Sequence, residues 1–497
     1  MKKYFLIIST LFFLFSTQSC SDRDLELFPP SLDDITDIAT EAKLQQLLNG
    51  AYMTMGSVSI YGTQAMVYGD LMGDKMFVNS NPSFLSTYNF NYNSSQQPDL
   101  GGFYSGLYAS IANCNLVINN QEVAANANVV RLKGEAKTLR ALAYFTLVNY
   151  YSPSISSGQN QEFGVPLVLG NYDVNITPAR ATVAEVYSQI VADLKDGINQ
   201  DDDAPGTKTT FSKNAAKLLL SRVYLSRRGA GDAAAALQLA TEVRDAANAA
   251  YSAASALNPF IPSKDIAVAN YFNYFAGKED DLYENHPETL WELDLNSETN
   301  KVTGIGANMS LPGYYYRLDP KKAFLFNQTF YTSFAPTDVR RGSVAATSLL
   351  TNVGVPTLDD PKGYWTNKYP QISSAGRYYR NIKVLRYSEA FLNRIEALHL
   401  TGQDALALTE LNQFALSRKG STYTGANILN DILTERSKEF YGEGQRFLDL
   451  KRYNIPLSRP SNCTVCDLAA TDKLFVFPVS QGAMNANPNL TQYPGYN

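Results

Sequence analysis

The chain has 497 residues, a formal net charge of −5 and 45% hydrophobic residues. That length suffices for one large domain or two to three ordinary ones, and the acidic balance lacks the basic footprint of a nucleic-acid binder. Only two histidines, His286 and His399, are present, which is poor material for a histidine metal site or triad, and nothing calls for a cofactor.

Met1 to Ser19 reads as a secretory signal. Lys2 and Lys3 form its charged start, and Tyr4 to Phe15 is mostly apolar but too short for a good membrane span. Cys20 follows Thr17-Gln18-Ser19 as in a lipobox, where cleavage leaves an acylated N-terminal cysteine; an ordinary leader end is the blander reading. Two or more acyl chains anchor stably where one does not. Leu25 to Ser31, with Pro29-Pro30, reads as extended, so residues 20–39 form a lipidated N-terminus and tether.

Thr40 to Met55 has Leu44, Leu47, Leu48, Ala51 and Tyr52 on one helical face. Gly56 to Gly102 is irregular and scatters Tyr61, Tyr68, Phe77, Phe84, Tyr88, Phe90 and Tyr92 through polar sequence. A loop this aromatic is either pinned to a core or lines a binding surface. Helices are predicted over Phe103–Asn120, Arg131–Tyr151 and Thr182–Ile198, the last with Thr182 as its cap. Cys114 on the first of these reads as a buried small apolar side chain.

Ser212 to Ala250 reads as two helices around Gly229-Ala230-Gly231-Asp232, and Phe391 to Ser417 repeats the design around Thr401-Gly402-Gln403-Asp404. Arg222 precedes Asp232, and Arg394 precedes Asp404, by the same interval. Helix pairs of this kind look like tetratricopeptide units, which bury their faces only by stacking. The predicted fold is mainly α: a tetratricopeptide-like helical-repeat scaffold with long irregular insertions and small β elements.

Asn258 to Ile382 is the longest irregular stretch. Trp291 in Glu288-Thr289-Leu290-Trp291-Glu292-Leu293 has the alternating neighbours of a core strand. Tyr314-Tyr315-Tyr316 cannot all face one core in an extended chain, so at least one ring is expected at the surface. Aromatics of the two irregular stretches, Tyr88, Tyr92, Tyr314, Tyr315 and Tyr316, are therefore the candidate ligand-binding rings, with Arg317 beside them; packing rings are the competing reading. Cys463 and Cys466 suit a disulfide in an exported protein or remain free thiols; zinc would want two more ligands.

Near the end, Ile428 to Tyr453 reads ILNDILTERSKEFYGEGQRFLDLKRY. Leu429, Ile432, Leu433 and Phe440 share an apolar face, and Arg436 lies on it. A core-facing arginine needs carboxylate partners. Glu435, Glu439 and Glu443 form a row of like charges that makes sense only against cations from other elements. Gly442 and Gly444 break the helix, which restarts with Arg446, Asp449 and Arg452. We read Glu435, Arg436, Glu439, Glu443, Arg446 and Asp449 as an inter-helix structural network, with Arg140 a candidate partner for the glutamates.

The same residues resemble the C-terminal signature of the SusD/RagB family: Glu435, Arg436, Glu439, Phe440, Glu443, Gly444, Arg446, Phe447, Asp449, Leu450 and Arg452. Phe477-Pro478-Val479 and Asn487 to Tyr496 resemble the family's closing segment, with Val479 and Tyr493 as departures. Further similarity lies in Gly69-Asp70 with Gly73-Asp74, in Phe103 to Asn120, in Glu135, Arg140 and Tyr144, in Gly164 to Leu167, around Trp291, and at Trp365 with Lys368-Tyr369. The resemblance implies one SusD-like domain over residues 40–497, with an N-terminal part near 21–230 and a C-terminal part near 280–497. It implies a cell-surface glycan-binding lipoprotein without catalytic residues that serves a TonB-dependent SusC-like transporter. Its membrane link would be the lipid anchor alone. Asp22, Asp24 and Glu26 after Cys20 resemble the export signal for the outer face of the outer membrane. RagB-like peptide binding and an all-α glycoside hydrolase are the alternatives.

Overall fold

A computed structural model describes residues 38–79, 84–98, 101–200, 202, 206–253, 266–277, 284, 286–295, 310–317, 323–342, 348–352, 363–371, 380–460 and 462–496. The expected signal, Cys20 and nearly all of the tether lie outside the described residues.

Helix α1 (Glu41–Met55) starts where the Thr40 side chain accepts the Lys43 amide, and buries Leu44, Leu48, Ala51 and Met55. Helix α2 (Gln64–Leu71) is buried throughout. Helix α3 (Phe103–Ile118) packs between α1 and the long helix α4 (Ala127–Tyr151). The fourth helix begins earlier than its apolar periodicity predicts, because Asn126 caps it by accepting the Val129 amide at 2.9 Å. From Leu139 to Tyr151 every residue of α4 is buried, as expected of a helix enclosed on all sides. Helix α5 (Val183–Gln200) packs on α4 and opens with a capping box: Thr182 accepts the Glu185 amide, and Glu185 accepts the Thr182 amide.

Helices α6 (Lys213–Arg227) and α7 (Asp232–Ala253) form one pair; α8 (Tyr387–Leu400) and α9 (Asp404–Ser417) form the other. Both turns need a glycine with positive φ, Gly231 at 82° and Gly402 at 76°. Asp232 accepts from Arg227 in the first pair, and Asp404 meets His399 at 2.7 Å at the same place in the second. Helix α8 packs on α7, so the pairs stack, consistent with the predicted repeat scaffold. Helices α10 (Ile428–Phe440) and α11 (Arg446–Arg452) follow, separated by Gly442 and Gly444 with φ of 76° and 74°.

The strands are short: β1 (Met76–Val78), β2 (Thr289–Leu293), β3 (Phe324–Phe326), β4 (Leu350–Thr351), β5 (Trp365–Thr366), β6 (Ile382–Arg386), β7 (Leu457–Ser458) and β8 (Asp467–Leu468). They pair antiparallel as β1–β3, β2–β6, β4–β5 and β7–β8, with Phe77 opposite Leu325 and Trp291 opposite Leu385. Trp291 is fully buried and stacks 4.4 Å from Phe211; Trp365 is also buried. Both are structural, as their sequence contexts suggest. Cys463 and Cys466 form a disulfide. Cys114 is free and buried, and burial pushes its thiol up to about 12.

Candidate functional site

The charged residues of α10 and α11 lie inside the molecule. Glu439 is fully buried and accepts from Arg386 at 2.7 Å and from Arg340 and Arg418 at 3.4 Å each. Burial opposes its charge, yet these three guanidiniums hold its carboxyl well below the ordinary range. Glu435 meets Arg340 at 2.5 Å, and Glu443 meets Lys368 at 2.7 Å and Arg386 at 2.8 Å. Arg436 donates to Asp449, Asn393 and Gln445 at about 3 Å each. Arg452 joins Asp449 and Glu396.

Arg140 is not a partner of the glutamate row. It makes a bidentate pair with Asp193 of α5 at 2.7 and 2.8 Å, and donates to Asn115 of α3. Its position in mid-α4 faces those two neighbours, while the row is filled by Arg340, Arg386, Arg418 and Lys368. Arg446 pairs outside α10 and α11, with Asp74 at 2.7 and 2.9 Å. The 69–74 segment docks on the Gly442–Gly444 break. The Gly444 amide donates to Asp70 at 2.6 Å, and an added Cβ on Gly69 would lie 1.8 Å from the Gly444 carbonyl oxygen. Burial raises the Asp70 carboxyl to about 7, against the pull of the Gly444 hydrogen bond and the Lys368 charge.

The candidate ligand rings do not form one surface. Tyr88 is buried, donates to the Asn462 carbonyl and lies under the Arg459 guanidinium. Tyr92 is buried against Phe477 and donates to the Leu474 carbonyl. Leu311–Tyr315 is a short helix, not an extended run, and it turns both Tyr314 and Tyr315 inward onto Phe324. These four are packing rings, because each finds aromatic neighbours or a hydroxyl acceptor within the core. Tyr316 and Arg317, just past that helix, are half-buried and keep side-chain surface.

A wide concavity lies elsewhere. The loop from Val165 to Pro178 is clipped along α3 by side chains that satisfy its carbonyls: Tyr108 donates to Pro166, Asn115 to Val168 and Gly170, and Asn119 to Leu169. Between this loop, α3 and the 483–490 segment runs a groove of about 620 Å³, with Tyr104, Tyr108, Leu167, Leu169, Ile176 and Leu490 in its walls. On the same loop Tyr172, Val174 and Ile176 are 78, 72 and 62% exposed. Grouped apolar exposure of this kind marks a contact surface. Beyond Leu167 the loop's signal in the sequence is its run of large apolar residues, Val168, Leu169, Tyr172, Val174 and Ile176, among Gly, Asn and Asp.

Two family models match the chain. One, described as starch-binding associating with outer membrane, covers residues 25–225; the other, described as SusD family, covers residues 318–496. The chain belongs to the SusD family. A SusD-like protein of Bacteroides ovatus is 29% identical over 242 residues, a match spanning 46% of this chain and 40% of that relative's length. A crystal structure described as a putative sugar binding protein from Bacteroides vulgatus superposes with a TM-score of 0.77 at 26% identity, covering 93% of this chain and 99% of the other. A surface glycan-binding protein A from Bacteroides uniformis shares the fold, with a TM-score of 0.68 at 20% identity over 91% of this chain and 99% of that one. Within this SusD family member, the charged signature residues of α10 and α11 make the buried ion pairs just described. Among the described residues no helix is long and apolar enough to cross a membrane.

Proposed function

We propose that the protein captures an oligo- or polysaccharide at the cell surface and delivers it to a TonB-dependent, SusC-like transporter, held to the outer membrane by acylation of Cys20. The observation that carries this reading is the likeness, over nearly the whole of both chains, to the Bacteroides vulgatus protein described as a putative sugar binding protein. The scaffold supports binding over hydrolysis. Glu435, Glu439, Glu443, Glu396 and Asp449 are engaged in ion pairs inside the core, so these acids are not poised to act on a glycosidic bond. Sugar rings offer apolar C–H faces to aromatic rings and hydroxyls to polar side chains. Of the candidate ligand residues, Tyr316 and Arg317 are the pair with side-chain surface to offer. Affinity electrophoresis through gels carrying a polysaccharide panel, with product analysis of the same polysaccharides, tests the reading. Retardation without cleavage supports it. Shortened products whose formation is lost on one Glu or Asp substitution would replace it with a hydrolase.

A further inference from the structure

Strand β6 carries Lys383 into the interior, where it is 9% exposed. Among the described residues its ammonium makes no hydrogen bond and no ion pair; it lies 5.0 Å from the centre of the Tyr274 ring. The carboxylates whose charge reaches it are engaged by other groups. Glu292 and Glu284 accept from Asn381 at 3.0 and 3.1 Å, and Glu443 accepts from Lys368 and Arg386. An ammonium held in the interior without a hydrogen-bonded partner is costly. Burial brings this amine down to about 8, against the pull of Glu292.

Lys383 also stands in the wall of a pocket of about 30 Å³, with Lys368, Arg380, Glu443, Leu295 and Pro312. Three cations thus face one carboxylate, and that carboxylate is already bonded to Lys368 and Arg386. A water needs about 10–15 Å³ of such space, so the pocket takes about two water-sized atoms. That matches the two oxygens of a carboxylate and leaves no room for a sugar ring. Leu311 and Pro312 of the wall open the short helix that ends at Tyr315, so about 7.5 Å of helix separates the pocket from Tyr316 and Arg317. An unpaired charge lining a pocket in this way marks a binding group.

We propose that the pocket takes the carboxylate of an acidic sugar, a uronate residue, with Lys383 as its ion-pair partner and Lys368 and Arg380 supplying further positive charge. Binding gives the ammonium the charge-assisted hydrogen bond that the fold withholds. The sugar ring stays outside, where Tyr316 and Arg317 are within reach of a short oligosaccharide. The inference rests on the glycan reading and narrows it to acidic glycans.

The test is calorimetric titration of the mature protein with a panel of uronate-containing oligosaccharides, each beside its carboxyl-reduced neutral form. At least one acidic member should bind about tenfold or more tighter than its neutral form, as one hydrogen bond to a charged group supplies. Lys383→Met should erase that difference and leave the neutral form's affinity in place. Thermal unfolding of the variant should be unchanged or higher, because methionine keeps the stem and removes a buried charge without a partner. A second measurement needs no variant: amine labelling of Lys383 in the wild-type protein, read by peptide mass spectrometry, should fall with the acidic member and not with its neutral form. Neutral forms that bind as well as the acidic ones would overturn this inference and leave glycan capture standing. An acidic preference that survives Lys383→Met, or labelling unmoved by the bound acidic member, would also overturn it by placing the carboxylate elsewhere. Binding by no saccharide at all would overturn the glycan reading and this inference with it.

Discussion

The backbone amide of Gly444 donates a 2.6 Å hydrogen bond to the Asp70 carboxyl, joining an early loop to the break between α10 and α11. Beside it, Gly69 lies so close to Gly444 that a side chain has no room. Gly69→Ala forces the two backbones apart and should cost about 3 kcal/mol or more. Gly50→Ala is the control: its Cβ meets nothing within 4 Å inside α1, and it should stabilise by about 1 kcal/mol. Chemical denaturation of both variants checks the contrast, and equal effects would contradict it.

The buried Asp70 carboxyl gives stability a pH dependence. Its folded-state value, about 7, is raised above the ordinary 3.8, so the contribution is full below about 4 and is lost as pH rises through 7. The shift corresponds to about 4 kcal/mol at most. Asp70→Asn keeps an oxygen to accept the Gly444 amide and removes the titration. Denaturation midpoints at pH 4.5 and 7.5 should therefore converge in the variant relative to the wild type. An unchanged difference would place the pH dependence on other groups.

Arg436→Ala leaves Asp449 short of one partner in a buried cluster, and should destabilise the fold by about 3–5 kcal/mol. A loss under about 1 kcal/mol in urea unfolding is the behaviour of an exposed pair and would contradict the network.

Much of this scaffold was legible in the sequence because helical periodicity, caps and glycine breaks are local signals. Thr182 caps the helix it precedes, the two glycine turns separate the helix pairs, and Arg436 points inward as its place on the apolar face requires. The partners of the glutamate row were not legible. Arg340 comes from a loop, Arg386 from the end of β6 and Arg418 from the end of α9, and no spacing links them to Glu439. Arg140, a candidate partner of the row by sequence, instead finds its carboxylate, Asp193, on the neighbouring helix. The tyrosines misled for the same reason. Tyr88 and Tyr92 look like surface rings within polar sequence, but their hydroxyls reach carbonyls of Asn462 and Leu474, far along the chain. The groove was not legible because its walls come from α3, the aperiodic 166–178 loop and the 483–490 segment, which no spacing brings together.

The anchor is tested by Cys20→Ala. Metabolic labelling with a fatty acid should mark the wild-type protein and leave the variant unlabelled, and the variant should remain unprocessed or be released. Undiminished label in the variant would sink the lipobox.

Glycan capture is tested most directly by calorimetric titration of the mature protein with matched panels of oligosaccharides and oligopeptides. The account predicts saturable heat with at least one oligosaccharide and none with the peptides. Tyr316→Ala should weaken that binding by about 1–3 kcal/mol, on the scale of one stacking ring, with thermal unfolding unchanged. Tyr92→Ala should instead lower the unfolding temperature, as loss of a buried ring does. Saturable heat from the peptides alone would contradict the central claim and assign the protein to peptide uptake.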